Sequence, residues 1–124
     1  MEEFNMINKN IKRGQIFFAN IPRSCGSAYF GLRPVLILSN NTNNRHSSVL
    51  TCIPISSSPA RAKANLPTHV HIEEGVLKKP STLMCENISN YSVEILENLV
   101  AEIPEDSEVM KQVERAVLIQ IGVI

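Results

Sequence analysis

The residue best suited to chemistry is Arg33, which stands immediately before Pro34 and shortly after Gly26 and Gly31, at the head of the apolar run RPVLILS. A guanidinium anchored there presents five N–H donors in a rigid planar fork, matches the oxygens of a phosphate and stays charged at any physiological pH. An ordinary surface ion pair is its alternative role. His69 and His71 alternate in THVHI, a spacing suited either to two metal ligands or to an acid and a base. No third ligand stands near them in sequence, which argues against the metal.

Absences narrow the chemistry further. After Glu3 the next acidic residue is Glu73, and the one aspartate in the chain is Asp106. Metal-dependent nucleases hold their cations with clustered carboxylates, so a two-metal mechanism fits poorly. The five glycines form neither GxGxxG nor GxxxxGK[ST], and no GxSxG marks a nucleophile elbow. Cys25, Cys52 and Cys85 are odd in number and far apart, the pattern of neither a disulfide framework nor a zinc site. We therefore expect no cofactor, no metal and a reducing cytoplasm.

Residues 4–72 carry eight basic and no acidic side chains, whereas 73–124 carry four basic and ten acidic ones, within a formal net charge of zero. Such segregation favours a polyanionic partner for the first part, unless folding interleaves the two. No segment approaches the ~20 apolar residues of a membrane helix. Residues 1–12, with Glu2 and Glu3 and no apolar run, do not read as a secretory signal.

The elements that must position Arg33 follow from patterning. A chain of 124 residues with 44% hydrophobic content suits one domain with its own core. Residues 14–21, 33–39 and 49–55 are runs rich in Val, Ile, Leu and Phe between turn residues and read as strands, as do 68–72, 82–85 and 99–103. Pro54 cannot donate to a ladder, which predicts a sheet edge or bulge there. Residues 104–122 place Val109, Val113, Ala116, Val117 and Ile121 on one helical face. Pro104 to Ser107 suit the first turn. Two basic, small-residue loops, 22–32 and 56–65, and an Asn-rich turn region at 40–47 lie between strands, and 87–95 holds at most a short helical turn. The sum is a mainly β fold with a C-terminal helix, a small barrel.

Taken together, KRGQIFFANI, GSAYFGLRPVLILSNNTNNR and LPTHVHI, with the terminal helix ending in VLIQIGVI, resemble the MazF/PemK family of toxin ribonucleases over the chain from Ile11. The resemblance implies an SH3-like barrel of the CcdB/MazF type at 11–124, after an N-terminal extension at 1–10. It further implies a homodimer that cuts single-stranded RNA, including mRNA, without metal and is silenced by a cognate antitoxin peptide. The 2′-hydroxyl would attack the neighbouring phosphorus, giving a 2′,3′-cyclic phosphate and a 5′-hydroxyl.

By that resemblance Arg33 and Ser56 are the catalytic pair, Arg33 mainly as an electrostatic stabiliser and Ser56 as a hydrogen-bond donor in place of the family's threonine. Ser27, Tyr29, Ser57 and Ser58 would lie along the RNA. Tyr29 and Phe30 either stack on bases or pack their loop onto the barrel. Arg61 and Lys63 either contact phosphates or are solvated. His69 is a substrate contact or an exposed bystander, while Glu86 and Asn87 match a Glu-Gln pair that lines the groove. Ala28 stands where many members carry glutamate, so either another residue takes over its function, the rate is low, or the protein binds without efficient cutting. Relatives of CcdB type share the barrel and bind DNA gyrase, which makes a noncatalytic binder the alternative.

Overall fold

In a computed structural model of the chain, which describes residues 10–23, 30–73 and 75–124, the Lys-Arg-Gly segment leads into β1 (Gln15–Ile21). Gly14 has φ +96°, and a Cβ on it would lie 2.5 Å from the Ile103 carbonyl oxygen. Only glycine permits that approach. In return, the Gly14 N–H donates to Ile37 O at 2.9 Å and the Ile103 N–H donates to Gly14 O at 2.8 Å. The start of β1 is thereby tied to segments on both sides. β2 (Gly31–Ile37) also begins at a glycine in the left-handed region, with φ +88°.

The remaining strands are β3 (Val49–Ser56), β4 (His69–Ile72), β5 (Ser81–Met84), β6 (Ser89–Ser92) and β7 (Leu96–Glu102), with helices α1 (Asn41–His46), α2 (Pro59–Ala64) and α3 (Glu108–Gln120). They form a seven-stranded sheet in the order β4-β5-β3-β2-β1-β7, with β6 pairing β3 off that path. Every pairing is antiparallel. β3 changes partners along its length: Val49 to Cys52 pair with β6, and Ile55 and Ser56 pair with β5. Pro54 lies between these two runs while pairing Val35 of β2. β3 is thus a central strand. The expected sheet edge is corrected to an interrupted ladder, where the absent N–H of Pro54 costs no pairing.

Both faces of the sheet are packed. On one, Ile16, Leu36, Ile53, Ile55, Val70, Ile72 and Leu83 meet Met110, Val113 and Ala116 of α3. On the other, Ala19, Ile21, Val35, Ile37, Leu50 and Cys52 meet Ile11, Val93 and Leu96. Each fully buried aliphatic side chain contributes roughly 1.5–3 kcal/mol. The barrel is not closed among the described residues, because no ladder joins the outer strands β4 and β7. α3 packs against β4 instead.

The mainly β architecture with a C-terminal helix is as expected, with local differences. α3 starts at Glu108 rather than 104, where the Ser107 hydroxyl caps it by accepting the Met110 N–H at 3.3 Å. The Asn-rich turn region is a helix whose cap, Asn40, accepts the Asn43 N–H at 2.8 Å. Part of the 56–65 loop is α2, opened by Pro59 and ended by Asn65 at φ 46°. The stretch 87–95 contains β6 between two 3₁₀ turns, Cys85–Asn87 and Val93–Ile95.

Candidate active site

Gly31 brings the chain into β2 and sets Arg33 on an exposed stretch of the strand. Its Nε donates to the Phe30 carbonyl at 3.3 Å. Ser56 ends β3, is 5% exposed, and its Oγ accepts the Ser58 N–H at 3.1 Å. β2 and β3 pair Ile37 with Cys52, Leu36 with Ile53 and Val35 with Pro54. Carried on by two residues, that register sets Arg33 opposite Ser56, on the face shared by Val35 and Pro54.

The row extends on both sides. Ala19 pairs with Arg33, Thr82 with Ser56 and His71 with Thr82. Cross-strand partners present side chains on one face, so Ser56, Thr82 and His71 line up across three neighbouring strands, and Arg33 projects from the same face of β2. His71 Nδ1 lies 3.2 Å from Thr82 Oγ1, and its Nε2 lies 3.0 Å from Asn65 Oδ1. Beside this row is a cavity of about 540 Å³ lined by Ser57, Ser58, His71, Lys79 and Thr82. Ala62 of α2 also lines it. Arg61 and Lys63 sit in the last turn of this helix, which buries none of its side chains.

His69 is buried, unlike the exposed bystander that is one of its two expected positions. Its side chain is 1% exposed, with Nε2 2.8 Å from Glu86 Oε2. Because a carboxylate only accepts, Nε2 carries the proton in the neutral ring. The Thr68 hydroxyl donates to Glu86 Oε1 at 3.1 Å. His69 is therefore a buried holder of Glu86, which corrects the exposed-bystander alternative. Glu86 and Asn87, both half-buried, lie in the 3₁₀ turn that follows β5. Ser27, Tyr29 and Ala28 lie outside the described residues. Phe30 has the Arg23 guanidinium 3.8 Å over its ring, a cation–π contact that occupies one face of the ring.

The charge segregation is partly erased by folding. Arg13 donates to Glu105 at 3.3 Å, Glu114 at 2.8 Å and the Leu38 carbonyl at 3.0 Å. This arginine belongs to the junction of β1 and α3, not to the row. Among the described residues no three His, Cys, Asp or Glu side chains are grouped to hold a metal ion. Burial pushes the Cys52 thiol up to about 12, and burial with the Glu86 charge does the same to Cys85. Both stay protonated and unreactive at neutral pH.

Ser56, Thr82 and His71 thus share one row, with Arg33 on the same face of the neighbouring strand, two residues beyond the last β2–β3 pair, while Glu86 and His69 form a separate cluster. Sequence reasoning missed Thr82 and the link from His71 to it. The alternation of THVHI marked His71, but its partner depends on the register of three strands, which no local pattern prints.

Comparison with known proteins gives the family. The family profile described as "PemK-like, MazF-like toxin of type II toxin-antitoxin system" matches residues 12–121. Endoribonuclease EndoA of Bacillus subtilis is 32% identical over 116 residues, covering 92% of this chain and 97% of that protein. The crystal structure of MazF from Deinococcus radiodurans superposes with a TM-score of 0.76 at 18% identity, over 90% of this chain and 96% of that one. An endoribonuclease from a mycobacterial species, solved in complex with its cognate antitoxin, superposes with a TM-score of 0.67 at 21% identity, over 90% and 93% of the two chains. On the extent of the profile match and the identity to EndoA, the chain belongs to the PemK-like, MazF-like toxins of type II toxin–antitoxin systems.

Proposed function

We propose that this toxin is a metal-independent endoribonuclease that cleaves single-stranded RNA, mRNA included, at short sequences. The observation that carries the reading is the pairing of Val35 with Pro54, which puts Arg33 and Ser56, each two residues further on, on the same face of neighbouring strands. RNA brings its own nucleophile, so the enzyme must align the 2′-hydroxyl with phosphorus and stabilise charge on the phosphorane oxygens. Arg33 supplies a fixed positive fork for those oxygens. Ser56 accepts from Ser58 through its oxygen, which leaves its own proton to donate to a phosphate oxygen. The products are a 2′,3′-cyclic phosphate and a 5′-hydroxyl. Ser57 and Ser58 border the same cavity, where they contact the RNA backbone; Arg61 and Lys63, on the helix whose Ala62 lines that cavity, add phosphate contacts, and Ser27 and Tyr29 are assigned RNA contacts by the family resemblance, with Glu86 and Asn87 reading bases. His69 serves by holding Glu86.

The relative named above is an endoribonuclease, which favours cutting over the gyrase-binding alternative. The purified protein, incubated with mixed single-stranded RNA in EDTA, should yield fragments with cyclic phosphate and 5′-hydroxyl ends. Intact RNA at high enzyme excess would refute the reading.

A cognate antitoxin, as in the mycobacterial complex, is the second partner. An acidic, partly disordered segment would compete with RNA for the basic rim. Among the described residues no helix is long and apolar enough to cross a membrane, and an mRNA substrate sets the site of action in the cytoplasm. Leu118, Ile121, Val123 and Ile124 are exposed at the C-terminus, an apolar surface that a second copy would cover. Sedimentation at micromolar concentration should show a dimer.

A further inference from the structure

The proposed reaction has a gap. The 2′-hydroxyl must lose a proton, a guanidinium is a poor base, and of the two candidate bases that line the cavity, His71 and Glu73, only His71 is paired into the row of Thr82 and Ser56. We propose that His71 is the general base of this cleavage, a catalytic residue held in place by Asn65 and Thr82. The inference rests on the ribonuclease reading of the Arg33 and Ser56 site.

Three observations carry it. The first is position. His71 pairs with Thr82, which pairs with Ser56, and strands stand ~4.8 Å apart, so the His71 and Ser56 backbones are about 10 Å apart on one face. The ring leans toward Thr82, and so toward the Ser56 side of the row, as the 3.2 Å contact shows. The second is tautomer. Asn65 Oδ1 can only accept, so Nε2 carries the proton and Nδ1 is the basic nitrogen. Asn65 is itself fixed as the left-handed C-cap of α2. The third is the partner at Nδ1. A threonine hydroxyl rotates: it donates to a neutral Nδ1 in the free enzyme and turns away when a substrate hydroxyl takes its place. His71 is exposed beside the cavity, whereas Thr82 is 1% exposed.

In the step, the 2′-hydroxyl takes the place of the Thr82 hydroxyl at Nδ1. The imidazole takes the 2′-proton as the 2′-oxygen bonds to phosphorus and the P–O5′ bond breaks. Water protonates the departing 5′-oxygen, and the imidazolium returns a proton to solvent. No proton is gained or lost overall.

The test compares wild type, His71→Gln and Arg33→Ala in single-stranded RNA cleavage with EDTA across the pH range of imidazole titration. His46→Gln, on α1 at the opposite end of β2 and β3, is the control. Around His71 the charged groups are Glu73 and Lys79 at the cavity and Arg115 on the α3 side, while Ala62, Asn65 and Thr82 face it uncharged. His69 on the same strand is tied to Glu86. We expect His71→Gln to lower kcat about 100-fold with KM little changed. The rise of rate with pH through imidazole deprotonation should be present in wild type and His46→Gln and absent in His71→Gln. A kcat within about threefold of wild type with the rise retained, or a change confined to KM, would overturn the role of His71. If Arg33→Ala is then inactive, the ribonuclease reading survives that failure. No cleavage by wild type overturns both.

Discussion

Replacing Ser56 by alanine removes two interactions that the structure separates. The hydroxyl proton is the donor assigned to the phosphate. Losing one preorganised donor of this kind typically raises the barrier by about 3–4 kcal/mol, or 10²- to 10³-fold in kcat. The hydroxyl oxygen also accepts the Ser58 N–H at 3.1 Å. That bond fixes the chain just before α2, and its loss costs about 1 kcal/mol of stability, a fall in Tm of about 4 °C for a domain of this size. Single-turnover cleavage of a labelled RNA, paired with thermal unfolding of the same preparation, separates the two. A Ser56→Thr variant restores the hydroxyl on a β-branched side chain that suits the end of a strand and should recover activity to within about tenfold. A Ser56→Ala enzyme that keeps kcat within threefold of wild type while losing the expected Tm would show that Ser56 is structural and that the donor lies elsewhere.

Other consequences are as direct. Gly14→Ala places a Cβ against the Ile103 carbonyl at a positive φ and should cost about 2–3 kcal/mol, read as a large drop in the denaturation midpoint. Arg13→Ala breaks the contacts to Glu105, Glu114 and Leu38; stability should fall by about 1–2 kcal/mol with RNA cleavage unchanged at temperatures well below unfolding. In a Cys25→Ser background, Cys52 and Cys85, both pushed up to about 12, should resist thiol reagents at pH 8 until denaturant is added. Rapid labelling of the folded protein would contradict their burial.

Much of this molecule was legible because its strongest signals are local. The apolar runs around Ile16, Leu36 and Ile53 mark strands, and the three-and-four spacing of Val109, Val113 and Ala116 marks α3. The motif around Arg33 carries the family resemblance from which the site is proposed. What stayed hidden depends on pairing. Ser89–Ser92 reads as a turn, yet it is strand β6, because its stability comes from β3 and from the Thr51 hydroxyl donating to Asn90 Oδ1 at 2.7 Å. Asn40–Ser47 has poor helix formers, and α1 forms around side-chain bonds, with Asn44 fully buried against Ser39. Pro54 correctly announced a broken ladder but not a central strand. His69 and His71 look equivalent in THVHI; only the position of Glu86 after β5 and of Asn65 after α2 divides them into a buried strut and an exposed base.

The change of partners along β3 has a mechanical meaning. By backbone pairing the hairpin of β4 and β5 joins the sheet through Ile55–Leu83 and Ser56–Thr82, and its Val70, Ile72 and Leu83 are buried in the core that α3 covers. Arg33 belongs to the wide ladder of β1, β2 and β3, and His71 and Thr82 belong to this hairpin. The two halves of the cutting machinery therefore ride on different pieces of the sheet. Parting the hairpin from β3 would disarm the toxin without touching Arg33, and because Val70, Ile72 and Leu83 would leave the shared core with it, keeping the site assembled and keeping the fold are the same task.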